Sequence, residues 1–151
     1  MAIAITLHLL SSVIWVGGMF FAYMALRPVA ASLLEPPQRL PLWSQVFSRF
    51  FPWVWASVII LLATGLWMVF AMFGGFAHVG LYIHLMAGLG IVMMLLFAHV
   101  FFAPYRRMKQ ALVGNDMPEA GRRLAQIRII IGINLTLGLV VTVIASAGKY
   151  F

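Results

Sequence analysis

Near its N-terminus the chain contains the segment His8-Leu-Leu-Ser-Ser-Val-Ile-Trp15-Val-Gly17-Gly18-Met19, inside an apolar run from Ala2 to Leu26 that has no charged side chain. This run is longer than the roughly 20 helical residues that cross the hydrocarbon core of a bilayer. An imidazole in such a run is costly to bury unless it faces another polar group, a cavity or a ligand. The segment therefore predicts a transmembrane helix in which His8 has a partner.

The composition is that of an integral membrane protein. Of the 151 residues 64% are hydrophobic and 9% are charged, whereas soluble domains carry about 25% charged residues. We therefore predict one transmembrane domain over residues 1–151. Because no basic segment precedes the first apolar run, we expect that run to remain in the mature protein. The absence of cysteine excludes disulfides, thiolate metal sites and iron–sulfur clusters.

Charges, prolines and glycines divide the chain into four predicted spans. They cover about residues 3–26, 52–72, 80–103 and 129–147, with polar connectors at 27–51 and 104–128. Arg27-Pro28 is expected to stop the first span and Pro104 the third. Gly74, Gly75 and Gly80 permit a tight hairpin, and Asp116-Met-Pro-Glu119 has the pattern of a helix start. The predicted fold is an all-α bundle of four transmembrane helices.

Basic residues predict the orientation of this bundle. Nearly all of the 10 Lys and Arg residues lie in the two polar connectors, and the hairpin between the second and third spans has none. By the positive-inside rule both connectors are cytoplasmic, and both termini lie on the outer (periplasmic) side of a bacterial inner membrane. We interpret the positive charge as a topology signal and a contact to membrane lipid, not as a nucleic-acid site. Assembly into a homo-oligomer stays open.

Two histidines are predicted to lie at similar depth near the outer surface. His8 lies about 7 Å below the outer end of the first helix, and His84 lies about four residues into the third span. A b-type haem held between axial histidines of two helices has this arrangement. A copper ion could use the same pair, with His78 or a methionine as a third ligand. His99 is about 22 Å further along the same helix as His84 and cannot serve the same centre.

The surroundings of these histidines leave two interpretations open. Ser12 follows His8 by one turn and Gly88 follows His84 by one turn, which leaves room for a flat macrocycle beside Trp15. Alternatively, the small residues only let helices approach closely, and the histidines only form interhelical hydrogen bonds. No span contains a carboxylate, or a nucleophile with a base and an orienting third group, so a hydrolytic mechanism lacks its catalytic groups. Oxidoreductase chemistry would depend on a bound centre and a redox partner or small substrate that the sequence does not identify.

The chain resembles a known family of membrane proteins in three motifs. They are His8-x6-Trp15-x-Gly17-Gly18, Arg49-x2-Pro52, and Gly80-Leu-Tyr-Ile-His84-Leu leading through His99 to Arg106-Arg107-Met-Lys109. This pattern resembles the CopD-like superfamily, which includes the membrane domain of CopD-type copper-resistance proteins and is similar to HemJ-type protoporphyrinogen oxidases. The resemblance implies a four-helix bundle in a bacterial inner membrane, linked to copper in the CopD branch and to haem in the HemJ branch. HemJ-type proteins usually have lysine where this chain has His84.

Three functional hypotheses follow. The leading one is a membrane protein that holds one haem b between His8 and His84 for electron transfer or small-molecule redox chemistry. The second is a copper-binding or copper-transport protein that uses His8, His84 and His78. The third is a protoporphyrinogen oxidase-like enzyme.

Overall fold

The computed structural model describes all residues from 1 to 151, and it is entirely helical apart from short turns. The elements are α1 (Ala2–Phe21), a π-helical turn (Ala22–Leu26), α2 (Arg27–Leu33), α3 (Pro36–Phe73), α4 (Leu81–Phe102), α5 (Pro104–Val113) and α6 (Met117–Ala147), with 3-10 turns at Phe76–His78 and Gly148–Tyr150. Four helical segments are long and apolar enough to cross a membrane: Ala2–Leu33, Pro36–Phe73, Leu81–Val113 and Met117–Tyr150. The predicted all-α, four-span fold is confirmed, and the chain is a multi-pass membrane protein.

The first helix continues past the stop predicted at Arg27-Pro28. Proline lacks an N–H group and its ring crowds the carbonyl group four residues earlier, so it normally breaks a helix. Here the N–H group of Arg27 bonds to the carbonyl oxygen of Ala22, five residues earlier. The helix is already widened where the proline ring enters it, and it continues as α2 to Leu33. The prediction that the helix ends at this dipeptide is wrong.

Helix α3 includes most of the predicted connector 27–51 as well as the second span. It starts at Pro36, where a missing N–H group costs nothing, and contains Pro41 and Pro52 in its interior. Its 38 residues give a length of about 57 Å, nearly twice the thickness of a hydrocarbon core. The N-terminal part of α3 therefore extends beyond the bilayer core.

The bundle has a basic end and a hairpin end. The basic end contains α2, the first half of α3, α5 and the first half of α6. The hairpin end contains the start of α1, the end of α3, the turn before α4 and the end of α6.

Three predicted boundaries are confirmed. Gly74 and Gly75 have φ angles of 75° and 114° in the hairpin, a region that L side chains rarely adopt. Helix α4 ends at Phe102, just before Pro104. At the start of α6 the Asp116 side chain accepts a hydrogen bond of 3.2 Å from the N–H group of Glu119. Local sequence signals thus set these helix ends.

The bundle consists of two helix pairs joined by aromatic side chains. Helix α1 packs along α3, and α4 packs along α6. Between the pairs, Trp15 meets Phe97 edge-on with ring centroids 6.2 Å apart. The buried rings of an aromatic core extend from the middle of the bundle to the basic end: Trp15, Trp43, Phe47, Phe51, Phe97 and Tyr105. This core positions α1 and α3 relative to α4.

Candidate functional site

His8 is half-buried on α1 and bonds to the neighbouring helix α3. Its Nδ1 atom lies 2.8 Å from Oγ1 of Thr64. The single hydroxyl hydrogen of Thr64 is donated to the carbonyl oxygen of Ile60, at 2.6 Å. With this hydrogen on Ile60, Oγ1 accepts from the Nδ1–H group of His8, and we assign this tautomer to the imidazole. The lone pair of Nε2 is then free of any protein partner.

This tautomer is the one that a metal-binding histidine uses. A histidine ligand typically donates its second ring N–H to an oxygen, which fixes the ring orientation and leaves the other nitrogen to bind the ion. Gly65 also contributes, because a Cβ atom at this position would lie 3.4 Å from Cε1 of His8. The backbone of α3 therefore packs directly against the ring. A hydroxyl group and a glycine on α3 hold His8 in place.

Sequence reasoning missed Thr64 as the partner of His8. The apolar stretch 52–72 contains only two hydroxyl residues, Ser57 and Thr64, and both are buried in the structure. A hydroxyl group in an otherwise apolar span is a signal for a polar contact with another helix. This signal was available, but the sequence did not show which helix faces α1.

His84 is exposed near the start of α4 and has a partner at the N-cap of that helix. Its Nδ1 atom lies 3.2 Å from the carbonyl oxygen of Gly80. A carbonyl oxygen only accepts, so Nδ1 carries the proton here as well and Nε2 is again free. The ring of His84 lies 6.0 Å from that of Phe76, between centroids. His84 thus has the tautomer of a metal ligand too.

The structure shows no contact between His8 and His84. Phe76, which packs on His84, also contacts Phe70 of α3 at 5.9 Å between ring centroids. Phe70 is six residues beyond Thr64 on α3, which corresponds to about 9 Å along that helix. His8 therefore contacts α3 at Thr64, whereas His84 is connected to α3 through Phe76 at Phe70, about 9 Å further along the helix. Their sharing of one metal centre stays a prediction.

The other predicted site residues have separate surroundings. The Ser12 hydroxyl group donates to the carbonyl oxygen of His8 at 3.0 Å. A Cβ atom at Gly88 would meet nothing within 4 Å, and His78 is exposed in the turn before α4. Trp15 is buried in the aromatic core. No group of three or more His, Cys, Asp or Glu side chains in the 151 residues is arranged to hold a metal ion, so a copper site would need donors of another kind.

A further polar position lies in the middle of the bundle. The Asn134 side chain donates to the carbonyl oxygen of Met93 on α4 at 3.1 Å, while its Oδ1 atom is buried without a hydrogen-bond partner. Asn134 lines a cavity of about 20 Å³ together with Trp15 and Met19. This volume is about that needed for one water molecule. The amide therefore joins α6 to α4 and has an acceptor left for a small polar ligand.

Comparisons with known proteins identify the family. No curated protein and no solved structure has significant similarity to the chain. Residues 44–147 match the model of the CopD family, described as copper resistance protein D. The matched range includes His84 and His99 but not α1 with His8. Because this match covers more than half of a chain that folds as four membrane-spanning helices, the chain belongs to the CopD family of copper-resistance membrane proteins.

Proposed function

We propose that this protein binds copper ions within the membrane and that Nε2 of His8 is one of the ligands. The family match supports the link to copper. The observation that carries the residue assignment is the hydrogen-bond chain from His8 to Thr64 to Ile60, which leaves Nε2 available. Because the chain has no cysteine, copper would be bound by imidazole nitrogen and thioether sulfur, and both suit copper.

The position of His8 is compatible with a cationic cargo. It lies six residues after Ala2, the first residue of α1, which corresponds to about 9 Å. A neutral imidazole is much less costly in an apolar span than a charged side chain, and its nitrogen can bind an ion that enters from the hairpin end. His78 and His84 lie at the same end of the bundle. One of them is the proposed second imidazole ligand, and methionine sulfur completes the site.

Copper binding by purified protein tests this proposal. We expect His8→Ala to weaken copper affinity by at least about tenfold, because an imidazole ligand is lost. Thr64→Val removes the hydroxyl group that orients the ring, and loss of such a partner typically weakens metal affinity by about 10–100-fold. Affinity would be measured by competition with a chromophoric chelator in detergent, and bound copper by elemental mass spectrometry.

The control variant is His99→Ala, because His99 is an exposed histidine near the opposite end of α4. It should bind copper like the wild type. Wild-type protein that binds no copper would refute the proposed function. Normal binding by His8→Ala would refute only the assignment of the ligand. Copper tolerance and total copper content of cells that lack the protein provide an independent measurement.

The second proposal is a haem b between His8 and His84 for electron transfer or small-molecule redox chemistry. The free Nε2 atoms of both rings favour it, because axial imidazoles bind iron through such a nitrogen. However, neither the cavity lined by Tyr23 nor the one lined by Asn134 borders His8 or His84. A visible spectrum of protein expressed with adequate haem supply tests this second proposal. Absence of a Soret band would refute it. Complementation of a strain that lacks protoporphyrinogen oxidase tests the related enzymatic hypothesis.

A further inference from the structure

The basic end contains a pocket whose residues are not part of the proposed copper site or haem site. Its volume is about 270 Å³, just below the range of about 300–1,000 Å³ that is usual for small-molecule sites. The turn Ala22–Leu26 and α2, the first half of α3 and the first half of α6 form its walls. Each of these three walls contributes one arginine, namely Arg27, Arg39 and Arg128. We call this cavity the arginine pocket.

Arg27, Arg39 and Arg128 form no ion pair within the protein. The chain has three acidic residues, and none of them lines the pocket. Glu119 is paired with Arg122 and Arg123, outside it, and Asp116 caps α6. Three guanidinium groups that share one cavity repel each other, and an anion bound between them would remove this repulsion.

Most of the hydrogen-bond donors of these arginines have no protein partner. Arg27 uses its Nε for the carbonyl oxygen of Tyr23, at 3.4 Å, and its guanidinium lies 4.3 Å from the centroid of the Tyr23 ring. Arg39 donates once, to the carbonyl oxygen of Leu34. The Arg128 side chain has no hydrogen-bond partner within the protein. Because each guanidinium has five N–H groups in a planar fork, the pocket offers several paired donors of the kind that bind phosphate.

Between the arginines, the α3 and α6 segments give the arginine pocket an apolar wall. It is formed by Leu40, Trp43, Phe47, Leu124 and Ile131. Gly121 leaves this space open, because a Cβ atom there would meet nothing within 4 Å. The pocket thus combines cationic donors with an apolar surface at the end of the bundle where α3 leaves the bilayer core.

The π-helical turn is a second feature that points to this pocket. Such turns are rare and frequently occur at functional sites. This one contains Tyr23 and directly precedes Arg27, and both residues line the pocket. The wide turn therefore places an aromatic ring and a guanidinium group at the cavity.

From these observations we propose that the arginine pocket binds the phosphate group of an anionic membrane phospholipid. The arginines hold the phosphate and the apolar wall accommodates the adjoining glycerol and the start of an acyl chain. A free phosphate ion shares the charge chemistry but would leave the apolar wall without a partner. This binding is independent of the copper proposal, because the pocket lies at the opposite end of the bundle from His8.

Delipidated full-length protein in detergent tests the proposal. We expect phosphatidylglycerol to raise the melting temperature, whereas phosphatidylcholine with the same acyl chains has little effect. Arg128→Gln should weaken binding of phosphatidylglycerol by about tenfold or more, since a charge-assisted contact is lost. The lipid-free variant should be at least as stable as the wild type, because one repulsive charge is gone. This last readout separates loss of binding from failure to fold.

Two further variants test whether the lipid effect depends on the space in the pocket and on the arginines that line it. Gly121→Leu fills the pocket without changing its charge and should also remove the effect of phosphatidylglycerol. Arg107→Gln is the matched control, because Arg107 is exposed and does not line the pocket. Equal stabilisation by both lipids, or an undiminished effect in Arg128→Gln and Gly121→Leu, would overturn the proposal. If inorganic phosphate alone stabilises as strongly as phosphatidylglycerol, the site binds a free anion and the lipid assignment is wrong.

Discussion

Replacement of Phe51 by alanine is expected to destabilise the bundle by about 3–5 kcal/mol, the range for truncation of a buried phenylalanine. Phe51 is 3% exposed and is the centre of the aromatic core. Its ring stacks on that of Phe47, and it meets Phe97 and Tyr105 edge-on, with centroids 4.9, 5.3 and 4.9 Å apart respectively. Removal of the ring leaves a cavity where α3, α4 and α5 meet, and in a membrane such packing contacts are a main source of helix association.

Thermal denaturation in detergent measures this effect. The control is Trp53→Ala, which removes a larger ring from the same helix at a position that is 62% exposed. We expect this control to change the melting temperature little, because lipid or detergent already surrounds the indole. Similar losses in the two variants would show that the aromatic core does not hold the helices together.

Replacement of Gly18 by alanine is the second change with a large expected effect. A Cβ atom at Gly18 would overlap the end of the Phe50 ring on α3. The ring must move or the two helices must separate, and overpacking of this kind costs about 1–3 kcal/mol. We expect a lower melting temperature and a weaker hydrogen bond between His8 and Thr64, since both depend on the contact between α1 and α3.

The neighbouring Gly17 provides the matched control. A Cβ atom there would meet nothing within 4 Å. Because alanine favours a helix over glycine by up to about 1 kcal/mol, Gly17→Ala should leave stability unchanged or raise it. A loss of stability in Gly17→Ala that equals the loss in Gly18→Ala would contradict the role given to Phe50.

Local sequence signals predicted those parts of the fold that depend on nearby residues. The Asp116 cap, the glycine hairpin and the end of α4 before Pro104 each rest on interactions within a few residues. The apolar runs predicted four spans because the bilayer alone sets their length. The prediction that Arg27-Pro28 ends the first helix was wrong because the π-helical turn that accommodates the proline has no strong local signature in the sequence. Pro41 and Pro52 likewise lie inside a continuous helix.

The candidate site was less predictable than the fold. His8 was correctly expected to have a polar partner, but the identification of Thr64 requires knowing that α1 packs on α3. The predicted relation of His8 to His84 depends on helix tilt and rotation, which apolar patterns do not encode. The sequence indicated the arginines as a topology signal and a contact to membrane lipid, but not as the lining of one pocket. Their convergence on one cavity depends on segments that are 89 residues apart, from Arg39 to Arg128.

The π-helical turn also sets the rotational phase of everything that follows it in the first helix. The i→i+5 hydrogen bond from Arg27 to Ala22 accommodates one residue more than an α-helical turn, and each α-helical residue turns the chain by about 100°. If the same five residues wound as an ordinary α-helix, the membrane would still be spanned, but Arg27 would point about 100° away from its present direction. The wide turn therefore absorbs one residue and keeps the following helix at the rotation that presents this charge to the pocket.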